Sequence, residues 1–203
     1  MMSGCLRRRC QLMPIPLSLS IALRQYLLHY PTEAAICESF LEFAASAPSV
    51  FLRGHAVGHF TGSAWLVSAD GERVLLTHHR KLERWLQLGG HADGDDDLAR
   101  VALREAEEES GLSDLLVEGG IFDLDRHLIP SRGAEAAHWH YDVRYVVRAT
   151  ASEDFSINEE SMALAWKPIG AIAQDPQADV SLRRMASKWI ARYGVNCIEQ
   201  APG

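Results

Sequence analysis

Apolar positions recur along the chain at two spacings, and the switch between them sets the expected order of elements. Leu23, Tyr26, Leu27 and Tyr30, then Ile36, Phe40, Phe43 and Ala44, repeat at helical spacing within residues 18–46. Two short helices are expected there, parted at Pro31-Thr32, with Thr32 as an N-cap, Glu33 in the first turn, and Pro48 closing the pair. From Gly58 the period drops to two. His59 to Ser68 and Arg73 to His79 read as the strands of a hairpin, joined by the turn residues Ala69-Asp70-Gly71-Glu72. A loop holding Trp85 and Gly89-Gly90 leads into a helix over about Asp96 to Ser110, stopped by Gly111 where a left-handed residue is needed. Strands over Leu115 to Leu124, His138 to Ala149 and about Ala163 to Pro168 follow, and a last helix over Val180 to Tyr193.

This interleaved but unequal order predicts an α/β (α+β) fold, a mixed sheet between helices rather than a regular βαβ repeat. A chain of 203 residues is long enough for one well-buried domain and too short for two full ones. The expected division is a disordered stretch over 1–17, an N-terminal helical hairpin over 18–50 attached as an appendage, and the main domain over 51–203.

Charge narrows the choice of partners. Twenty Lys and Arg against 27 Asp and Glu give a net charge of -7, which repels a phosphate backbone, so long nucleic acid is not an expected partner. The same balance suits a site that loads divalent cations and lets them attract a polyphosphate. Cys5, Cys10, Cys37 and Cys197 show no zinc-finger spacing, and a reduced, cytoplasmic compartment is expected. Near the start, Pro14, Pro16, Ser18 and Ser20 interrupt a mildly apolar run, which favours a frayed start, with Met13 an alternative initiator, over a signal peptide. No apolar run approaches the ~18 residues of a membrane span, so no membrane partner is expected.

The candidate chemistry sits on the helix before Gly111. At about 100° per residue, Ala99, Ala102, Leu103 and Ala106 share a narrow stripe expected to pack on the sheet. Glu105, Glu108 and Glu109 stand at i, i+3 and i+4 on a neighbouring stripe, while Glu107 points elsewhere. Like charges at this spacing repel, and carboxylates in a last turn oppose the helix dipole. Local stability therefore does not explain them, whereas a hard cation bound by carboxylate oxygens would offset both penalties. An acidic run taken alone is usually a solvated helix face, so its surroundings decide.

Those surroundings, GHADGDDDLARVALREAEEESGL from Gly90, resemble the Nudix box, G-x5-E-x7-R-E-U-x-E-E-x-G-U with U apolar. The pattern falls on Gly90, Asp96, Arg104-Glu105-Ala106, Glu108-Glu109 and Gly111-Leu112, with Asp96 replacing the usual Glu and Ala106 smaller than the usual aliphatic residue. Trp85-Leu86-Gln87-Leu88-Gly89-Gly90 is similar to the family's W-x-x-P-G-G lead-in, with Leu88 in place of Pro. Asn158-Glu159-Glu160-Ser161 ahead of Trp166 is similar to a later acidic segment. The resemblance covers about residues 57–195. It implies an α/β/α sandwich and a hydrolase that cuts a diphosphate linkage in a small nucleotide-like substrate, with Mg²⁺ or Mn²⁺ as cofactor. On this reading Glu105, Glu109 and the carbonyl of Gly90 hold metal, and Glu108 holds metal or takes a proton from the attacking water. Arg104 orients Glu108 or pairs with Asp96, and Glu160, with its neighbour Glu159 as the alternative, is a second base or extra ligand.

Alternation over His138 to Arg148 puts Trp139, Tyr141, Val143, Tyr145 and Val147 on one face, and His138, His140, Asp142, Arg144 and Arg148 on the other. His140 and Arg144 are expected to meet substrate from the second face, and Trp139 or Tyr141 to stack on a base, against the commoner core role of a strand aromatic. His91 and His138 are further candidates, against the commoner role of a hydrogen-bonded structural histidine. Two other readings stay open: a non-catalytic nucleotide-sensing or protein-binding module that docks or homodimerises through the hairpin, and an isomerase acting on an isoprenoid diphosphate.

Overall fold

The computed structural model describes residues 15–80, 83–133, 135–156 and 161–194. Most of the stretch expected to be disordered, and Glu159 and Glu160, lie outside the described residues.

Helices α1 (Leu17–His29) and α2 (Ala34–Ala44) form the expected pair. A single turn of 3-10 helix, Pro31–Glu33, lies between them, and α2 starts from Glu33 with no side-chain cap, so Thr32 does not cap it. The pair is no appendage. Leu23, Tyr26, Phe40 and Phe43 share one buried cluster with Phe60, Leu124, Tyr141 and Val143 of the sheet, and the Phe43 ring stacks on Tyr141 at 3.8 Å. Aromatic contact of this kind adds about 0.5–1.5 kcal/mol to the area buried.

Strands β1 (Gly58–Val67) and β2 (Arg73–His79) make the expected antiparallel hairpin, registered at Val67↔Val74. The stretch read as a loop forms two short strands, β3 (Arg84–Leu86) on β2 and β4 (Leu88–His91) on β1. Helix α3 (Leu98–Ser110) follows, then β5 (Leu115–Ile129), β6 (His138–Ala149) and β7 (Ser161–Pro168). The sheet runs β3-β2-β1-β6-β5, with β4 beside β1 and β7 beside β2; β1 and β6 are parallel and the remaining pairs antiparallel. A short helix α4 (Ile169–Gln174), absent from the sequence reading, precedes α5 (Val180–Tyr193).

Even-numbered β1 residues Phe60, Ala64 and Leu66 face α3 and the N-terminal pair, while Trp65 and Val67 face α4 and α5. The result is a mixed sheet with helices on both sides, as the order of elements predicted. The α3 layer sits close because β1 carries Gly62: a Cβ there would lie 2.8 Å from the Leu98 carbonyl oxygen and 2.9 Å from Val101. The face α3 buries is Leu98, Val101, Ala102, Ala106 and Ser110, so Val101 and Leu98 join the core while Ala99 and Leu103 sit at its margin.

Candidate active site

Helix α3 begins where the Asp97 carboxylate accepts the Arg100 backbone N–H at 3.1 Å, and ends at Gly111 with φ 68°. Asp96, one residue before the cap, is exposed and does not line the cavity described next. Thirteen residues in between carry Glu105 and Glu109 to the border of the buried face and Glu108 and Glu107 outward.

Glu105, Glu108 and Glu109 line one cavity of about 820 Å³, together with Gly90, His91, Arg104, His140 and Asp142. The strands supply its other wall. His59, Thr61 and Ser63 alternate onto one face of β1, and His140 and Asp142 are register partners of His59 and Thr61 on β6. Strand β4 pairs to the other edge of β1, Thr61↔His91 and Gly62↔Gly90, which brings the glycine backbone against α3.

That approach shapes Glu105. A Cβ on Gly90 would fall 2.5 Å from Glu105 Cδ, so the bare glycine is what lets the carboxyl group lie against the strand. Burial raises the Glu105 pKa, and the Glu108 charge adds to that, against the hydrogen bond and charge of Arg104 that lower it. Arg104 Nη2 donates to Glu105 Oε1 at 2.7 Å and to the His91 carbonyl at 3.0 Å. The arginine thus pins Glu105 and ties α3 to β4, where the sequence reading had it paired with Glu108 or Asp96. Since Gly90 has no left-handed backbone angle, Gly90→Ala is expected to keep its fold and to push Glu105 aside. Metal affinity, read by titration, should fall about 10–100-fold with the melting temperature near wild type.

Asp142 lines the cavity with both oxygens engaged. Oδ1 accepts from Thr61 Oγ1 at 2.9 Å and Ser63 Oγ at 2.7 Å, and Oδ2 from Arg144 Nε at 2.7 Å and Gln87 Nε2 at 3.2 Å. Thr61, Ser63, Gln87 and the Arg53–Asp93 ion pair at the rim belong to the site and were not read from sequence. Thr61 and Ser63, small polar residues at period two on β1, look the same as an ordinary amphipathic strand, and Gln87, Arg53 and Asp93 stand outside any regular pattern.

Two residues expected to meet substrate stand elsewhere. Arg144 is buried behind the cavity wall, with Nη1 3.3 Å from Asp123 and Nη2 3.4 Å from Asp125 besides its bond to Asp142. Burial would lower its pKa, and the surrounding aspartates more than reverse that. Trp139 lies on the opposite strand face, against the cluster around the N-terminal helices, with Arg126 4.8 Å over its ring. His140 does line the cavity, and burial followed by the neighbouring His59 and His127 lowers its pKa.

A family model for the NUDIX domain matches residues 59–188. No curated protein matches the chain. Among solved structures, a NUDIX-family hydrolase from Clostridium perfringens is 22% identical with a TM-score of 0.50, over 66% of this chain and 96% of that one. A C. elegans Ap4A hydrolase is 14% identical with a TM-score of 0.52, over 65% and 95%. The E. coli dihydroneopterin triphosphate pyrophosphohydrolase is 17% identical with a TM-score of 0.52, over 65% and 94%. These structures share the fold, and among the described residues no helix is long and apolar enough to cross a membrane. With Gly90, Arg104, Glu105, Glu108 and Glu109 of the box on one cavity and the domain model spanning most of the chain, the chain belongs to the Nudix hydrolase family.

Proposed function

We propose that the protein is a divalent-metal-dependent pyrophosphohydrolase that cuts a diphosphate linkage in a nucleoside diphosphate derivative or a similar small molecule. The observation that carries this reading is the convergence of Glu105, Glu108, Glu109 and Gly90 on one cavity of about 820 Å³, a size suited to a nucleotide-like ligand. The donors are all oxygens, which Mg²⁺ and Mn²⁺ prefer, and the Gly90 cradle holds Glu105 in place at an electrostatic cost that a cation offsets. Glu105, Glu109 and the Gly90 carbonyl are the proposed ligands. Once bound, the ion neutralises charge on the phosphoryl oxygens and makes a water more acidic.

The chain's own groups do the rest. Glu108, the most exposed of the three carboxylates, accepts the proton of the attacking water. Arg104 acts as a positioning residue by holding Glu105 and the β4 backbone together. His140 presents an uncharged ring at the cavity wall, since burial and the neighbouring His59 and His127 lower its pKa. Glu160 is proposed as a further base. Neighbours whose names specify Ap4A and dihydroneopterin triphosphate favour a nucleotide-like substrate. A panel of nucleoside triphosphates, sugar nucleotides, dinucleotides and ADP-ribose, assayed with Mg²⁺ and with Mn²⁺, is the test. At least one compound should turn over, with loss of activity in chelator and recovery on adding metal; turnover that persists in chelator would overturn the metal requirement.

A further inference from the structure

We propose that His59, His91 and His140 form a second metal site, one that takes a zinc-class transition ion and is distinct in chemistry from the carboxylate site. One ring nitrogen from each of the three lies within 4.8 Å of those of the other two. The residues come from three adjacent strands, β1, β4 and β6, so the sheet itself fixes their spacing.

His59 is the decisive member. It is 1% exposed, and neither Nδ1 nor Nε2 has a hydrogen-bond partner. A buried histidine with a structural role normally donates from one nitrogen and accepts at the other, and leaving both unmet is costly. Its neighbours are rings: His91, His138 and His140 lie at 4.9, 5.0 and 4.7 Å between centroids. Ring packing satisfies the carbon faces and leaves the nitrogen lone pair unused. Coordination would use it.

The surroundings supply an outer shell. His138 donates from Nδ1 to the Ala136 carbonyl at 2.9 Å, and its Nε2 lies 3.3 Å from His140 Nε2, a ring-to-ring hydrogen bond that orients the His140 ring. Metal-bound histidines commonly carry an oriented partner of this kind. His91 and His140 also line the cavity, whereas His59 lies behind it, so the position left by three protein ligands opens toward the cavity. Three imidazoles plus one open position is the donor set of catalytic zinc sites, where water or a substrate oxygen completes the tetrahedron.

Donor type separates the two sites. Imidazole nitrogen favours Zn²⁺, Co²⁺, Ni²⁺ and Cu²⁺ over Mg²⁺, and Mg²⁺ favours the glutamate oxygens. A tetrahedral Zn²⁺ with bonds of about 2.0–2.1 Å draws its nitrogens closer than 4.8 Å, so binding requires the His91 and His140 rings to turn toward His59. The proposal does not depend on the hydrolase reading, because it concerns metal retention rather than turnover.

The test uses the full chain, stripped with chelator and then held in excess Mg²⁺. Zn²⁺ is titrated by calorimetry, and Co²⁺ by the visible absorption that marks tetrahedral coordination. One equivalent of each is expected, and equally so in the Glu105→Gln/Glu109→Gln double variant. His59→Phe and His140→Asn should weaken Zn²⁺ binding by at least about 100-fold, the upper end of what losing an outer-shell partner alone causes. If His59→Phe does not fold, His91→Asn, at a half-buried position, carries the same expectation. Absence of stoichiometric Zn²⁺ binding in Mg²⁺ would overturn the site, as would binding lost in the glutamate variant and intact in the histidine variants.

Discussion

Glu108→Gln is expected to lower kcat by about 10²–10⁴-fold, the contribution of a positioned general base, while the melting temperature stays where it was. The separation of the two effects follows from where Glu108 stands. It is exposed on α3, lines the cavity, and sits three residues after Glu105, whose carboxylate pKa its charge helps to raise. Removing that charge relieves a like-charge pair, worth a few tenths of a kcal/mol on a helix surface, so the fold loses nothing by it. Glu107 supplies the control: one residue away, exposed, and not lining the cavity. Steady-state kinetics of Glu107→Gln should match the unaltered protein. Equal losses in both variants would mean that net acidity of the helix, rather than a proton acceptor at one position, drives turnover.

What could be read before the structure was whatever rests on local chemistry. Gly111 marks the end of α3 because only a left-handed residue closes a helix that way, and the alternation on β6 separated Tyr141, Val143 and Tyr145 from His140 and Asp142, as the two faces of the strand do. Elements held by partners distant in sequence were illegible. Leu88–His91 contains two glycines and has little strand propensity of its own, yet it pairs with four residues of β1. Ile169–Gln174 is too short for a helical period to register. The stripe on α1 and α2 indicated that they pack, without indicating that Phe60 and Tyr141 of the sheet receive them. Site residues divide in the same way. Glu105, Glu108 and Glu109 are neighbours by helical spacing, so one segment reveals them, whereas His59 acquires its meaning from rings on β4 and β6. Arg144 was misassigned because a charge on a strand face looks ready for a ligand until the aspartates converging on it are known.

Those aspartates make Arg144 the residue whose loss should harm the fold most. Its guanidinium meets Asp142, Asp123 and Asp125 at once, and Asp123 is 0% exposed. The network extends outward. Arg184 and Lys188 of α5 each bond Asp123, at 2.7 Å, and Lys188 continues to the Tyr26 hydroxyl of α1 at 2.8 Å and to Glu33 at 2.7 Å. It therefore links the N-terminal pair, the sheet and the last helix, and through Asp142 it reaches Thr61 and Ser63 in the cavity wall. Arg144→Met keeps the volume and removes the charge, leaving Asp142 and Asp123 buried with a partner lost; about 3–5 kcal/mol of stability should go with it. Arg144→Lys should recover only part, because one ammonium cannot span three carboxylates held by a planar fork. Urea unfolding at constant m reads both. The acid limb gives an independent check. Burial would raise the Asp125 pKa, but His127, Arg144 and Arg184 outweigh it and hold the carboxyl below its usual value. A depressed carboxylate contributes stability that is complete above its unfolded pKa of about 3.9 and is lost as pH falls below it. The acid limb of Arg144→Met should then be shallower than that of the unaltered protein below about pH 4, since Asp125 loses part of its depression along with the arginine. A variant within about 0.5 kcal/mol of the unaltered protein, the size of an ordinary surface change, would show that the network adds no net stability.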